Sequence, residues 1–192
     1  MKRNSLDFLL KWKNSNYRKP LIIRGARQTG KTWLLKEFGR TAFDKTVYVN
    51  FEETPSLQGL FQSDFDITRI ITALGIFSNT VINPQNTLII FDEIQTAEKG
   101  LTSLKYFYEN APEYFLIAAG SLLGMGLHNN TSFPVGKVNF LDLRPMSFTE
   151  FLWAMNEDRL ADSVLKQENS SFSSANALIL HYGLMIMENS KE

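Results

Sequence analysis

A glycine, four unconstrained positions, and then Gly-Lys-Thr occur once in this chain, at Gly25, Ala26-Arg27-Gln28-Thr29, Gly30, Lys31 and Thr32. The stretch constrains the fold because of what flanks it. "PLII" at 20–23 is a short apolar run with Pro20 leading in, the pattern of a buried strand. "KTWLLKEF" follows, with Trp33, Leu34 and Phe38 spaced to face a core from a helix. A strand, a glycine loop and a helix start in that order bring backbone N–H groups to one point, where phosphate oxygens can accept from them. At ordinary composition the four fixed positions should match by chance in roughly one such chain in a hundred. The alternative is a tight turn that caps a helix, and the strand–loop–helix context argues against it.

Further apolar segments surround this unit. "TVYVNF" (46–51) alternates and is β-branched, "TLIIFDE" (87–93) and "YFLIAAGS" (114–121) read as buried strands, and "KVNFLDL" (137–143) alternates as a fifth. Between them, "DITRIITAL" (66–74) and "LTSLKYFYEN" (101–110) read as helices, and Leu6, Leu9, Leu10 and Lys13 mark an amphipathic helix from Ser5. Strands that alternate with helices imply crossover connections, a mostly parallel five-stranded sheet and helices on both faces, an α/β fold. In "PMSFTEFL" a helix is predicted to begin at Ser147. Ser147 and Glu150 make a capping box there, and Met146 and Phe151 occupy the positions of a hydrophobic staple. "QENSSFSSAN" (167–176) reads as a polar linker, and "ALILHYGLMIM" (177–187) as an apolar helix-like segment.

Charge and composition exclude more than they assign. Twenty basic and twenty acidic side chains balance, so nothing global draws the chain to nucleic acid or to anionic lipid. There is no cysteine, which removes disulfides and thiolate metal ligands and fits a cytoplasmic location. The N-terminal "MKRNSLDFLLKWK" is interrupted by Asp7 and Lys11 and does not form a signal peptide, and no apolar run reaches the length of a membrane span. His128 and His181 are isolated and read as structural.

The loop predicts its own chemistry. Gly25 and Gly30 permit dihedrals and close approaches that a side chain would block. Residues 25–33, Gly25 through Trp33, form the expected phosphate cradle, with Lys31 on the β- and γ-phosphates and the Thr32 hydroxyl on Mg²⁺. "LIIFDE" ends a strand in Asp92 and Glu93, at the sheet edge where open α/β folds bind ligands. Asp92 suits Mg²⁺, and Glu93 suits proton abstraction from an attacking water. An acid at a strand end is ordinarily a solvated loop residue, but an upstream phosphate cradle reverses that. Ser121, ending "AAGS", is a candidate to bond the γ-phosphate or the water, and equally a serine that opens a turn. Among arginines, Arg144 after the fifth strand is the first candidate to stabilise developing charge, whereas Arg24 and Arg27 flank the cradle as expected surface ion-pair formers.

Taken together, "RGARQTGKTWLLKEF" (24–38), "IIFDEIQ" (89–95), "YFLIAAGSLLG" (114–124) and "VNFLDLRPMSFTEFL" (138–152) resemble the AAA-type P-loop ATPases of bacteria and archaea. The resemblance spans about residues 20–152. It implies a sheet ordered 5-1-4-3-2 and carries over Gly25, Gly30, Lys31, Thr32, Asp92 and Glu93 as nucleotide-site residues, with Ser121 more loosely. In that family the ATPase domain precedes a C-terminal region of unknown or nuclease-like character. The expected organisation is therefore a P-loop core over 1–156, with 157–192 as the start of a truncated following domain. The expected partners are ATP, an unidentified protein or the missing domain, and a second copy of the chain. The leading functional expectation is Mg²⁺-dependent ATP hydrolysis driving a conformational switch. The alternatives are a nucleotide-dependent binding module with negligible turnover and a small-molecule kinase. GTP is disfavoured, because the Asn-Lys-x-Asp pattern that reads guanine in G proteins does not occur.

Overall fold

A computed structural model describes residues 3–121, 134 and 136–168. Segment 177–187 and both histidines lie outside these residues. The chain divides into two compact units, Asn4–Pro145 and Met1–Arg3 with Met146–Glu192.

The larger unit is built on five strands, β1 (Leu21–Arg24), β2 (Lys45–Asn50), β3 (Thr87–Asp92), β4 (Phe115–Gly120) and β5 (Asn139–Asp142). They form one sheet in the order β2-β3-β4-β1-β5, with every pairing parallel. This is the expected order read from the other edge. Each strand lies within one or two residues of its predicted span.

Burial explains the order. Every residue of β3 and β4 is buried, as strands covered on both faces must be. The flanking β2 and β5 carry the polar and half-exposed positions that an edge tolerates. The period of two then sorts strand side chains between two cores. Ile22, Val47, Val49, Ile89, Phe91, Leu116 and Ala118 face one side. There they meet Ile70 and Leu74 of α3 (Ile67–Ser78) and Leu104 and Phe107 of α4 (Gly100–Asn110). Leu21, Ile23, Leu88, Ile90, Ile117 and Ala119 face the other. Their partners are Leu9 and Trp12 of α1 (Ser5–Lys13) and Leu34, Leu35 and Phe38 of α2 (Lys31–Ala42). In α1 the buried positions are Leu9 and Trp12, while Leu10, expected on the apolar face, is 45% exposed. The Trp12 indole spans both needs, with its ring in the core and Nε1 donating to the Lys19 carbonyl at 2.8 Å.

One aromatic cluster bears directly on the site. Phe91 has ring neighbours Phe51, Phe61 and Phe107 at centroid distances of 5.4, 5.7 and 6.1 Å. Three edge-on neighbours fix the residue immediately before Asp92, so the strand end that carries the acids is rigid.

In the smaller unit, α5 (Phe148–Ala154) opens with the expected capping box: the Glu150 amide donates to Ser147 Oγ and the Ser147 amide to Glu150 Oε2. The second carboxylate oxygen of Glu150 pairs with the buried Arg3 guanidinium at 3.4 Å. A further helix, α6 (Asp158–Glu168), was not delimited from sequence, and sets Ala161 and Val164 against Leu152. Among the described residues, no helix is long and apolar enough to cross a membrane.

Candidate functional site

Strand order decides where a ligand can sit. From β1 the chain leaves toward the β2 edge, and from β4 it leaves toward β5, so connections diverge beside β1. The crevice at the carboxyl ends of strands around such a switch point is where open α/β sheets bind ligands. Gly25 and its loop follow β1 there, Asp92 and Glu93 end β3, and Ser121 follows β4.

The loop is shaped by steric exclusion and by its own hydrogen bonds. A Cβ on Gly25 would lie 2.5 Å from the Leu143 carbonyl oxygen, because the segment after β5 passes directly over it. Leu143 N–H donates to the Arg24 carbonyl at 2.7 Å and fixes that crossing. Thr29 Oγ1 donates to the Ala26 carbonyl at 2.9 Å. Gly30 adopts φ +85°, the left-handed region that glycine occupies without strain, and Gln28 also lies there at φ +65°. Gly30 then N-caps α2 with no side-chain cap, which leaves the first N–H groups of that helix to an anion rather than to a neighbouring side chain. Gly25→Ala should therefore force the loop and the β5 exit apart. The expected cost is about 1–3 kcal/mol of stability, read as a melting temperature lower by about 2–4 °C per kcal/mol. Thermal unfolding followed by circular dichroism checks this, and an unchanged melting temperature would show that the crossing imposes no constraint.

Lys31 is only 7% exposed and donates to the carbonyls of Gly25 and Ala26 at 2.8 and 2.7 Å. Its ammonium thus lies across the concavity of its own loop. Burial lowers its pKa from the ordinary lysine value, Glu93 and Asp92 pull it back up, and Arg27 pushes it down. Thr32 Oγ1 donates to Asp92 Oδ2 at 2.9 Å. Asp92 is 2% exposed, and its second oxygen accepts from the Glu93 amide at 3.1 Å. A buried carboxylate needs such donors.

Glu93 leaves the strand in the left-handed region, at φ +49°. For a side chain with a Cβ this costs about 1–2 kcal/mol, and it turns the chain abruptly into the 3₁₀ turn Ile94–Thr96. Glu93 Oε2 accepts from Gln95 Nε2, from the Ser121 amide at 3.3 Å and from Ser121 Oγ at 3.5 Å. Ser121 thus meets the Glu93 carboxylate directly.

An open cavity of about 410 Å³ joins these groups, lined by Arg27, Gln28, Gly30, Lys31, Thr32, Trp33, Glu52, Glu93 and Ser121. Of the arginines, Arg27 reaches it. Arg24 is instead bound bidentately to Asp142 at 2.8 and 2.9 Å, and Arg144 is exposed beyond β5, outside the lining residues. Two contributors escaped the sequence analysis. Glu52, two residues beyond β2, lines the cavity, and Tyr48 donates its hydroxyl to Asp92 Oδ2 at 2.8 Å. Burial, and then the bond to Asp92, raises the Tyr48 pKa well above the ordinary tyrosine value. Only the β2–β3 pairing brings either residue here, so no local signal announced them.

The donor set fits Mg²⁺: one hydroxyl and one carboxylate within 2.9 Å, both hard oxygen ligands. Among the described residues no group of three or more His, Asp or Glu could enclose an ion. A small cation that keeps its waters and takes one carboxylate plus phosphate oxygens needs no such cage.

A parallel sheet of this order, with a glycine loop opening α2 and acids ending β3, is the P-loop NTPase arrangement. A family model described as an AAA domain matches residues 17–152, and the chain belongs to that family of ATP-binding proteins. No curated protein matches the chain. Solved structures that match include the Aeropyrum pernix ORC1 protein in complex with DNA, with 17% identity, a TM-score of 0.46 and coverage of 83% of this chain and 48% of that one. Another is C. elegans PCH-2, with 12% identity, a TM-score of 0.44 and coverage of 76% of this chain and 42% of that one. The chain therefore spans a little under half the length of these two structures.

Proposed function

We propose that this protein is a Mg²⁺-dependent ATPase in which hydrolysis drives a conformational switch. The observation that carries the reading is the placement of the Glu93 carboxylate, held by Ser121 at the rim of the cavity that Lys31 and Thr32 line. Residues 25–33 bind the phosphates: the loop and helix-start N–H groups donate to phosphate oxygens, and Lys31 exchanges its two carbonyl contacts for β- and γ-oxygens. Thr32 and Asp92 would hold Mg²⁺, which when bound would neutralise phosphate charge. Glu93 takes the proton of the attacking water. Ser121 orients that carboxylate and is placed to touch the water or the γ-phosphate.

Among the described residues, Arg27 supplies the one guanidinium that lines the cavity. A second arginine, from Arg144 after a movement, from a following domain, from another copy or from a protein partner, would add roughly 10³–10⁵ in rate. The isolated chain is then a slow enzyme, close to a nucleotide-dependent binding module. We place the P-loop core within residues 1–156, in a cytoplasmic protein.

Phosphate release from ATP tests the reading. Turnover is expected with Mg²⁺ and should fall to background when EDTA removes the ion. Turnover that EDTA leaves unchanged would eliminate the proposed site as its source.

A further inference from the structure

We infer that Tyr48 is a positioning residue for the metal-binding carboxylate, and that its hydroxyl sets the Mg²⁺ affinity of the nucleotide site. The inference rests on the assignment of Asp92 to Mg²⁺ made above. Strand geometry explains the contact. β2 and β3 pair in parallel register, with Tyr48 opposite Ile90 and Asn50 opposite Asp92. Positions 48, 90 and 92 alternate onto one face of the sheet, the side covered by α2. A tyrosine two residues short of the strand end is long enough to bring its hydroxyl up to the carboxylate, and Tyr48 Oη donates to Asp92 Oδ2 at 2.8 Å. The Lys36 ammonium, 4.5 Å from the Tyr48 ring centroid, holds the ring from the α2 side.

Asp92 Oδ2 has two hydroxyl donors, Tyr48 and Thr32, at 2.8 and 2.9 Å, while Oδ1 accepts from the Glu93 amide. The two hydroxyls differ in fate. Thr32 lies in the first turn of α2 and is the other residue assigned to the cation, so its hydroxyl would leave Oδ2 for the metal. Tyr48 sits on the sheet and has no such second task. It is therefore the donor that stays on Oδ2 and keeps the carboxylate from rotating while Thr32 changes partner. A donor of this kind fixes ligand orientation, and its removal typically costs 10–100-fold in metal affinity.

Tyr48→Phe removes the hydroxyl and keeps the ring. The full 192-residue chain is titrated with MgCl₂ at a fixed concentration of a fluorescent ATP analogue, and affinity for the analogue is also measured in EDTA. Asp92→Asn serves as the reference. The expected result is a Mg²⁺ midpoint raised about 10–100-fold in Tyr48→Phe, with metal-free affinity for the analogue unchanged. If Asp92→Asn shifts the midpoint and Tyr48→Phe does not, Tyr48 merely satisfies a buried acid and the inference is overturned, while Asp92 keeps its role. If neither variant shifts it, the assignment of Asp92 to the metal fails and takes the inference with it. If Tyr48→Phe weakens metal-free binding to the same extent, the hydroxyl supports the cradle as a whole, and its specific role is again overturned.

Discussion

Lys31→Ala is expected to lower ATP affinity about 10²–10⁴-fold while leaving the fold intact. A hydrogen bond to a charged group contributes roughly 1.5–3 kcal/mol, and Lys31 is placed to make two with the β- and γ-phosphates, which converts to two to four decades in dissociation constant. The cost to the empty protein is smaller. The ammonium is buried against the Gly25 and Ala26 carbonyls, and burial already disfavours its charged form, as its lowered pKa records. Removing it withdraws two hydrogen bonds and one desolvated charge together, and these effects oppose each other. Gly25 and Gly30 keep the loop path, because the Leu143 crossing and the left-handed turn do not depend on the lysine. Titration with a fluorescent ATP analogue, alongside circular dichroism, reads both quantities. A variant that binds as tightly as the parent chain would refute the cradle.

Glu93→Gln should separate binding from chemistry. Glutamine preserves the shape and can still accept from the Ser121 amide and hydroxyl through its carbonyl oxygen, so the rim of the cavity is retained. It cannot take a proton at the pH of the reaction. Loss of a general base costs typically 10²–10⁴ in rate. ATP binding should be equal or slightly tighter, because one negative charge leaves a cavity that also holds Glu52 and is to receive an anionic ligand. Single-turnover phosphate release compared with equilibrium binding of the same nucleotide distinguishes the two effects. Undiminished release would remove Glu93 from the proton transfer and direct attention to Glu52, the other carboxylate lining the cavity.

The glycine loop was legible in the sequence because its geometry is local. Gly25, Gly30, Lys31 and Thr32 act through backbone dihedrals and a helix start that eight consecutive residues define. The five strands were legible for a related reason. Burial on both faces demands the unbroken apolar runs of β3 and β4, and an edge permits the alternation of β2, so solvent exposure writes itself into composition. The capping box at Ser147 and Glu150 likewise lies within four residues and was found where expected. Strand order came from family resemblance alone, since periodicity says nothing about which strands become neighbours. Only the tertiary structure could decide what depends on that order. The β1–β5 pairing sets the Leu143 carbonyl over Gly25, the β3–β4 pairing sets Ser121 against Glu93, and the β2–β3 pairing brings Tyr48 to Asp92. Each contact joins residues 28 to 118 positions apart along the chain, where a sequence pattern carries no distance information. The β1–β5 register ties Arg24 to Asp142, whereas Arg27 reaches the cavity as part of the loop itself and Arg144 lies outside the lining.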